Sequence, residues 1–224
     1  MTLAARAWTA LVALVVAMGL VLFVVAGSAR YWPAWAYLVI FGGVSGILTL
    51  QLVERDRALL ERRMHGGPTA ERRPAQKLIM LGTSIGFIAL LVVPALDHRF
   101  GWSTVPVAVV IVADVLVLLG FMLIGRVYRE NTFSAATIQI AANQTVVSTG
   151  PYAIVRHPMY ANGSLFLLGT PLALASYWGL APFAATMPFL IWRLVDEERF
   201  LAQRLPGYAD YQKRVPYRLI PRVW

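Results

Sequence analysis

The sequence predicts an all-α integral membrane protein of about six membrane crossings, the last two a helical hairpin, with a polar pocket formed by the connector before the hairpin and the C-terminal tail after it. Three observations carry this. The 224-residue chain is 58% hydrophobic and only 14% charged, with a mean hydropathy of +0.64, outside the range usual for soluble domains. It contains uncharged runs as long as the roughly 20 residues that cross a hydrocarbon core of about 30 Å. When those crossings are drawn, nearly all of its 20 Lys and Arg fall on one side, as the positive-inside rule requires.

Taken in order, residues 7–29 and 31–53 carry no charged side chain and read as the first two crossings. The first run is too long for a removable signal peptide and lacks a small-residue cleavage site, so it reads as a retained helix. Within the second, FGGVSG puts Gly42 and Gly46 on one face suited to close helix contact. The basic loop 54–77, with RRMHGGPTAERRP, reads as a short extramembrane turn with frayed helix ends that orients the chain and meets anionic lipid. Residues 78–96 and 100–125 supply the third and fourth crossings. The latter is broken only by Asp114, read as a hydrogen-bonded structural group facing the bundle interior, although an acid inside the membrane also raises a functional role.

From Pro158 to Trp192 there are 35 residues without a formal charge, which as one helix would be about 52 Å long and far exceed a bilayer. Two crossings fit better, about 160–175 and 180–195, with Pro171 inside the run and a turn at Ser176, Tyr177, Trp178 and Gly179. Charge counting agrees. With six crossings and a cytoplasmic N-terminus about 18 Lys and Arg lie inside and 2 outside; with five the split is about 11 to 9. The hairpin therefore places 126–160 and 193–224 on the same side. We read the chain as one structural domain, with N-terminal helices over 1–125 and a chemical core over 126–224.

Several function classes fall away on composition. Without cysteine there are no disulfides, thiol nucleophiles or thiolate metal sites. With only His65, His98 and His157, far apart in the chain, no metal site is expected. The net charge of +9 is accounted for by membrane orientation rather than nucleic acid.

The polar residues that remain gather around the hairpin. The connector reads RENTFSAATIQIAANQTVVSTGPYAIVRHPMY, and its β-branched TVVSTGPY part is expected to be extended. Pro158 suits the first turn of the entering helix. Arg156 and His157 then lie just outside that helix's N-terminus, where free N–H groups favour an anion such as a carboxylate. At the hairpin's exit, WRLVDEERFLAQ puts Arg193 and Glu197 on one helical face and turns Glu198 away by about 100°. Glu197 offers an acceptor for hydroxyls or a cation, and Arg193 a planar fork for a carboxylate. Singly, these residues read as anchors, a cap or an ion pair, and Tyr152, Tyr160, Tyr208 and Tyr211 as an interfacial aromatic belt. Together, at the two ends of one hairpin, they read as a pocket.

The block VVSTGPYAIVRHPMY, the apolar hairpin, then DEE and PGYADYQKRVPYRLIP closely resemble the isoprenylcysteine carboxyl methyltransferase family, whose relatives include phospholipid methyltransferases. The resemblance covers residues 131–221. It implies an integral membrane enzyme that transfers a methyl group from S-adenosylmethionine to a lipophilic acceptor, leaving S-adenosylhomocysteine, with its active site at the cytoplasmic face. Carried over by motif, the implied cofactor contacts are Gln139, Gln144, Thr145, Val146, Val147, Tyr152, His157, Pro158, Met159, Tyr160 and Glu197. The implied substrate-carboxylate arginine is Arg193; Arg156, read from its place at the helix start, is taken as a second catalytic residue. An acceptor carboxylate ionises near neutral pH without help, so the chemistry needs placement and a dry site rather than a base. A prenylcysteine-like acid is the expected acceptor. A phospholipid amine, a small thiol or an isoprenoid acid stay open, as do a sterol-reductase-like enzyme using NADPH and a non-catalytic scaffold.

Overall fold

The computed structural model describes every residue except Arg72 and Ala142. Among the described residues it is all helical: α1 (Leu3–Ala26), α2 (Trp32–Arg55), α3 (Arg57–Met64), α4 (Pro74–Phe100), α5 (Val107–Glu130), α6 (Pro158–Ala173), α7 (Leu180–Arg204) and α8 (Tyr208–Arg214), with a short 3-10 turn at Gly150–Ala153. The helix ends follow local chemistry. The Thr2 side chain accepts the Ala5 N–H at the start of α1, as an N-cap should. Left-handed glycines, Gly27 and Gly101, close α1 and α4. Prolines sit in the first turns of α2, α4 and α6, where their missing N–H costs nothing.

Four of these helices, α1, α2, α4 and α5, are long and apolar enough to cross a membrane. Their outer faces expose Val12, Leu20, Val39, Ile85 and Ile111, a surface suited to lipid rather than water. Inside, Met18, Leu22, Tyr37, Phe41, Leu91 and Val117 build the core. Small residues let the helices close up. A side chain at Gly120 of α5 would meet Phe166 of α6, and one at Gly169 of α6 would meet the Ala113 carbonyl. Gly42 and Gly46 lie against Val15 and Trp8 of α1, the contact face expected of them.

The final apolar run turns back at 174–179, close to the expected place, and α6 and α7 pack on each other. At 16 residues α6 is only about 24 Å long, shorter than α1, α2, α4, α5 and α7. The turn is fastened far from the connector. Ser176 is fully buried and donates to Asp97 at 2.5 Å, and Asp97 also accepts the Ser103 N–H at 2.7 Å and the Ser103 hydroxyl at 2.5 Å. Tyr31 donates to the Leu174 carbonyl at 2.5 Å.

Two expectations need correction. The 54–77 loop contains a two-turn helix, α3, because Asp56 caps it by accepting the Leu59 N–H at 2.8 Å and Leu59 and Leu60 bury. Asp114 is not hydrogen-bonded as expected: its Oδ1 is buried without a partner among the described residues. The nearby hydroxyls of Tyr37 and Thr170 are engaged with each other.

Candidate functional site

A cavity of about 350 Å³ opens where the connector, the start of α6, the end of α7 and α8 converge. Each wall has a local cause. The connector leaves helical geometry after Asn131, and its β-branched stretch runs on without helix to Thr149, as expected. Gln144 accepts the Ala141 N–H at 2.9 Å, which ties that loop down. The phenol of Tyr152 accepts from Asn131 at 2.9 Å and its carbonyl accepts the Tyr211 hydroxyl at 2.7 Å. Burial, with Glu197 and Glu130 adding to it against the opposing pull of Asn131 and Arg63, pushes the Tyr152 phenol up to about 12.

All thirteen residues singled out from the sequence line this one cavity: Gln139, Gln144, Thr145, Val146 and Val147 from the connector, Tyr152, Arg156, His157, Pro158, Met159 and Tyr160 from the corner, and Arg193 and Glu197 from α7. Their bonding, however, differs from the expected pattern at two arginines.

Arg156 is not available as an anion dock. It is 7% exposed, its Nε donates to Glu198 at 2.6 Å, and its Nη1 donates to the carbonyls of Val215 and Pro216 at 2.8 and 2.9 Å. The backbone N–H groups of Arg156 and His157 donate to Tyr217 and Arg218, both at 2.9 Å. The tail, rather than a ligand, satisfies this corner. Glu198 is its hub, approached also by His157 Nε2 at 3.2 Å and Arg218 Nε at 2.8 Å. Burial alone would raise the Glu198 carboxyl, but hydrogen bonds from His157, Arg156 and Arg218 outweigh it and hold it down at about 2.

One residue earlier the helix points the other way. Glu197 lines the cavity and accepts the Tyr160 hydroxyl at 2.6 Å. Arg193, on the same face, is not ion-paired with it among the described residues but is engaged elsewhere. Its Nη1 lies 2.9 Å from Glu71 and donates to Gln76 at 2.8 Å, while Nη2 donates to the Ala136 carbonyl at 2.8 Å. Asp196 is held by Arg73, just before α4, at 2.6 Å and by Gln76 in the first turn of α4.

Sequence reasoning missed the contribution of the N-terminal half. Gln76 backs Arg193, and Arg63, Met80 and Thr83 line the cavity. The signal for α4 was present, since Gln76, Met80 and Thr83 are spaced four and three apart and share one helical face. Tyr208 was read as part of an aromatic belt. It is 4% exposed, lines the cavity, and its hydroxyl has no partner among the described residues.

These features define a helical membrane protein with a half-open cavity of mixed polar and apolar lining at the end of its bundle. Residues 108–206 match the family described as Phospholipid methyltransferase. The chain is 34% identical over 117 residues to the cobalt-zinc-cadmium resistance protein CzcN of Cupriavidus metallidurans, covering 50% of this chain and 52% of that protein. It is 28% identical over 108 residues to the protein-S-isoprenylcysteine O-methyltransferase of Schizosaccharomyces pombe, covering 44% and 46%. A solved structure of the eukaryotic intramembrane Ras methyltransferase ICMT (isoprenylcysteine carboxyl methyltransferase) superposes over 92% of this chain and 74% of that one, with 20% identity and a TM-score of 0.49. The chain spans about half the length of the curated relatives described here. The likeness read from the motifs is borne out: the chain is similar to phospholipid and isoprenylcysteine methyltransferases.

Proposed function

We propose that this chain is an S-adenosylmethionine-dependent membrane methyltransferase that esterifies the carboxylate of a lipophilic, prenylcysteine-like acceptor, with α6 and α7 as fifth and sixth crossings and the cavity at the cytoplasmic face. The observation that carries the reading is the convergence of all thirteen motif residues on one cavity. Its volume of about 350 Å³ lies in the range of small-molecule sites. The residues fit a polar, cationic cofactor. Among the described residues, Glu197 presents a carboxylate that accepts one hydrogen bond, from Tyr160, and the Tyr208 hydroxyl without a partner is a buried polar atom of the kind a ligand satisfies.

When bound, S-adenosylmethionine supplies a methyl group already activated as a sulfonium. The chain's residues then have to hold, align and dry the site. Glu197, Tyr160 and the connector residues Gln139 and Gln144 supply polar contacts, with Val146, Val147 and Met159 as apolar walls. Arg193 orients the acceptor carboxylate, which is ionised near neutral pH and needs no general base. The cytoplasmic placement rests on the distribution of Lys and Arg, about 18 of which share a side under six crossings. A water-soluble cofactor and a greasy acceptor can then meet at one interface.

The test is a transfer assay on the purified, detergent-solubilised chain with methyl-labelled S-adenosylmethionine, offering a farnesylcysteine acid, phosphatidylethanolamine and a small thiol in parallel. Base-labile label on the farnesylcysteine is expected. Label only on the amine or the thiol would replace the acceptor class, and absence of S-adenosylmethionine binding by calorimetry would end the proposal.

A further inference from the structure

We infer that Glu71 sets how strongly Arg193 grips an anionic acceptor, which makes it a positioning residue for the transfer proposed above; the inference rests on that reading. Glu71 stands in the strap between α3 and α4, outside the segment 108–206 that matches the methyltransferase family. It is 4% exposed and lies 2.9 Å from Nη1 of Arg193, itself 7% exposed. Gln76, fully buried, accepts from the same nitrogen at 2.8 Å, and Ala136 accepts from Nη2 at 2.8 Å. Arg193 and Glu197 are on the cavity wall, whereas Glu71 and Gln76 are not. The guanidinium is therefore pinned from the protein side, leaving the rest of its fork for the cavity.

Pinning alone does not call for a carboxylate. The neutral Gln76 and the Ala136 carbonyl already fix the plane of the guanidinium, and burying an ion pair costs desolvation that a neutral partner avoids. What Glu71 adds is charge. Esterification consumes the acceptor's negative charge: a carboxylate oxygen forms a bond to the methyl carbon as the bond from carbon to sulfur breaks, its electron pair leaving with sulfur. A full positive charge on Arg193 would hold the ionised acceptor more tightly than the transition state, in which that negative charge is already fading. Attraction of this kind deepens the ground state and slows the chemical step. A counter-ion behind the guanidinium weakens the attraction while leaving the N–H geometry in place. Arg193 can then align the acceptor without quenching it, and it releases the neutral ester.

The test is Glu71→Gln in the full chain, with the methyl donor saturating. For the carboxylate acceptor, KM is expected to fall about tenfold and kcat by a comparable factor, the scale for removing one unit charge several ångströms away at a partly buried site. The donor KM should not move. In equilibrium binding, the variant should hold the acceptor acid more tightly and its methyl ester no differently. Glu71→Asp, which draws the charge back by one methylene, should shift both constants the same way by about two- to threefold, and it serves if the Gln variant does not fold. A fall in kcat with KM unchanged or raised, or acid binding that does not strengthen, overturns the inference and leaves Glu71 a structural ion pair. A wild-type chain that transfers no methyl group would instead defeat the function proposed above, and the comparison of acid with ester binding still decides the role of Glu71.

Discussion

Glu197 and Glu198 are chain neighbours whose removal should have opposite consequences. Glu198 is 4% exposed and is approached by Arg156 at 2.6 Å, Arg218 at 2.8 Å and His157 at 3.2 Å. Glu198→Gln leaves the buried Arg156 without its counter-ion, and breaking a buried pair from one side costs about 3–5 kcal/mol. Linkage gives a similar size. A carboxyl held at about 2 instead of its ordinary 4.5 contributes about 3 kcal/mol. The sign follows from the direction of that shift. Because the folded value is depressed, the contribution is fully present above the unfolded value of 4.5 and is lost as pH falls from there toward 2. Denaturant unfolding in detergent should show wild type about 3 kcal/mol more stable than Glu198→Gln at pH 7, with the gap narrowing below pH 4.5. Glu197→Gln should change stability little and instead abolish binding of the methyl donor. A Glu198→Gln gap under about 1 kcal/mol at pH 7, or one that ignores pH, would refute the reasoning that this carboxylate clamps the tail to the corner.

Asp97→Asn removes a carboxylate that accepts three hydrogen bonds at the hairpin turn. It should lower stability by about 1–3 kcal/mol in the same unfolding assay while leaving donor affinity measured by calorimetry unchanged. Tyr208→Phe deletes a hydroxyl that has no partner among the described residues, so it should not destabilise the apo protein. If that hydroxyl meets the donor, affinity should fall by about three- to tenfold.

Much of the architecture was legible because it is encoded locally. Run lengths placed the long helices, and Pro158, read into the first turn of a helix expected over about 160–175, opens α6. Arithmetic on the last apolar run located the turn at Ser176. The motif around RHP and the Glu197 face led to thirteen residues that share one cavity. What escaped was set by distance along the chain. The partners of Arg193, Gln76 and Glu71, lie more than a hundred residues earlier in a loop whose charges looked like an orientation signal. The tail's return onto Arg156 depends on carbonyls at Val215 and Pro216, groups every residue has and no pattern advertises. Asp114 departed for a related reason: the hydroxyls it could have used are paired with each other. Periodicity reports which face is polar, but not which partner a buried donor chooses.

The fastening of Ser176 to Asp97 has a mechanical consequence for the cavity at the opposite end of the hairpin. With the bend held there, and α6 and α7 joined again at the far end by Tyr160 on Glu197 and by Arg156 and His157 on Glu198, the two helices behave like a frame braced at both corners. The width of the cavity between them is thereby set by the fold before any ligand arrives.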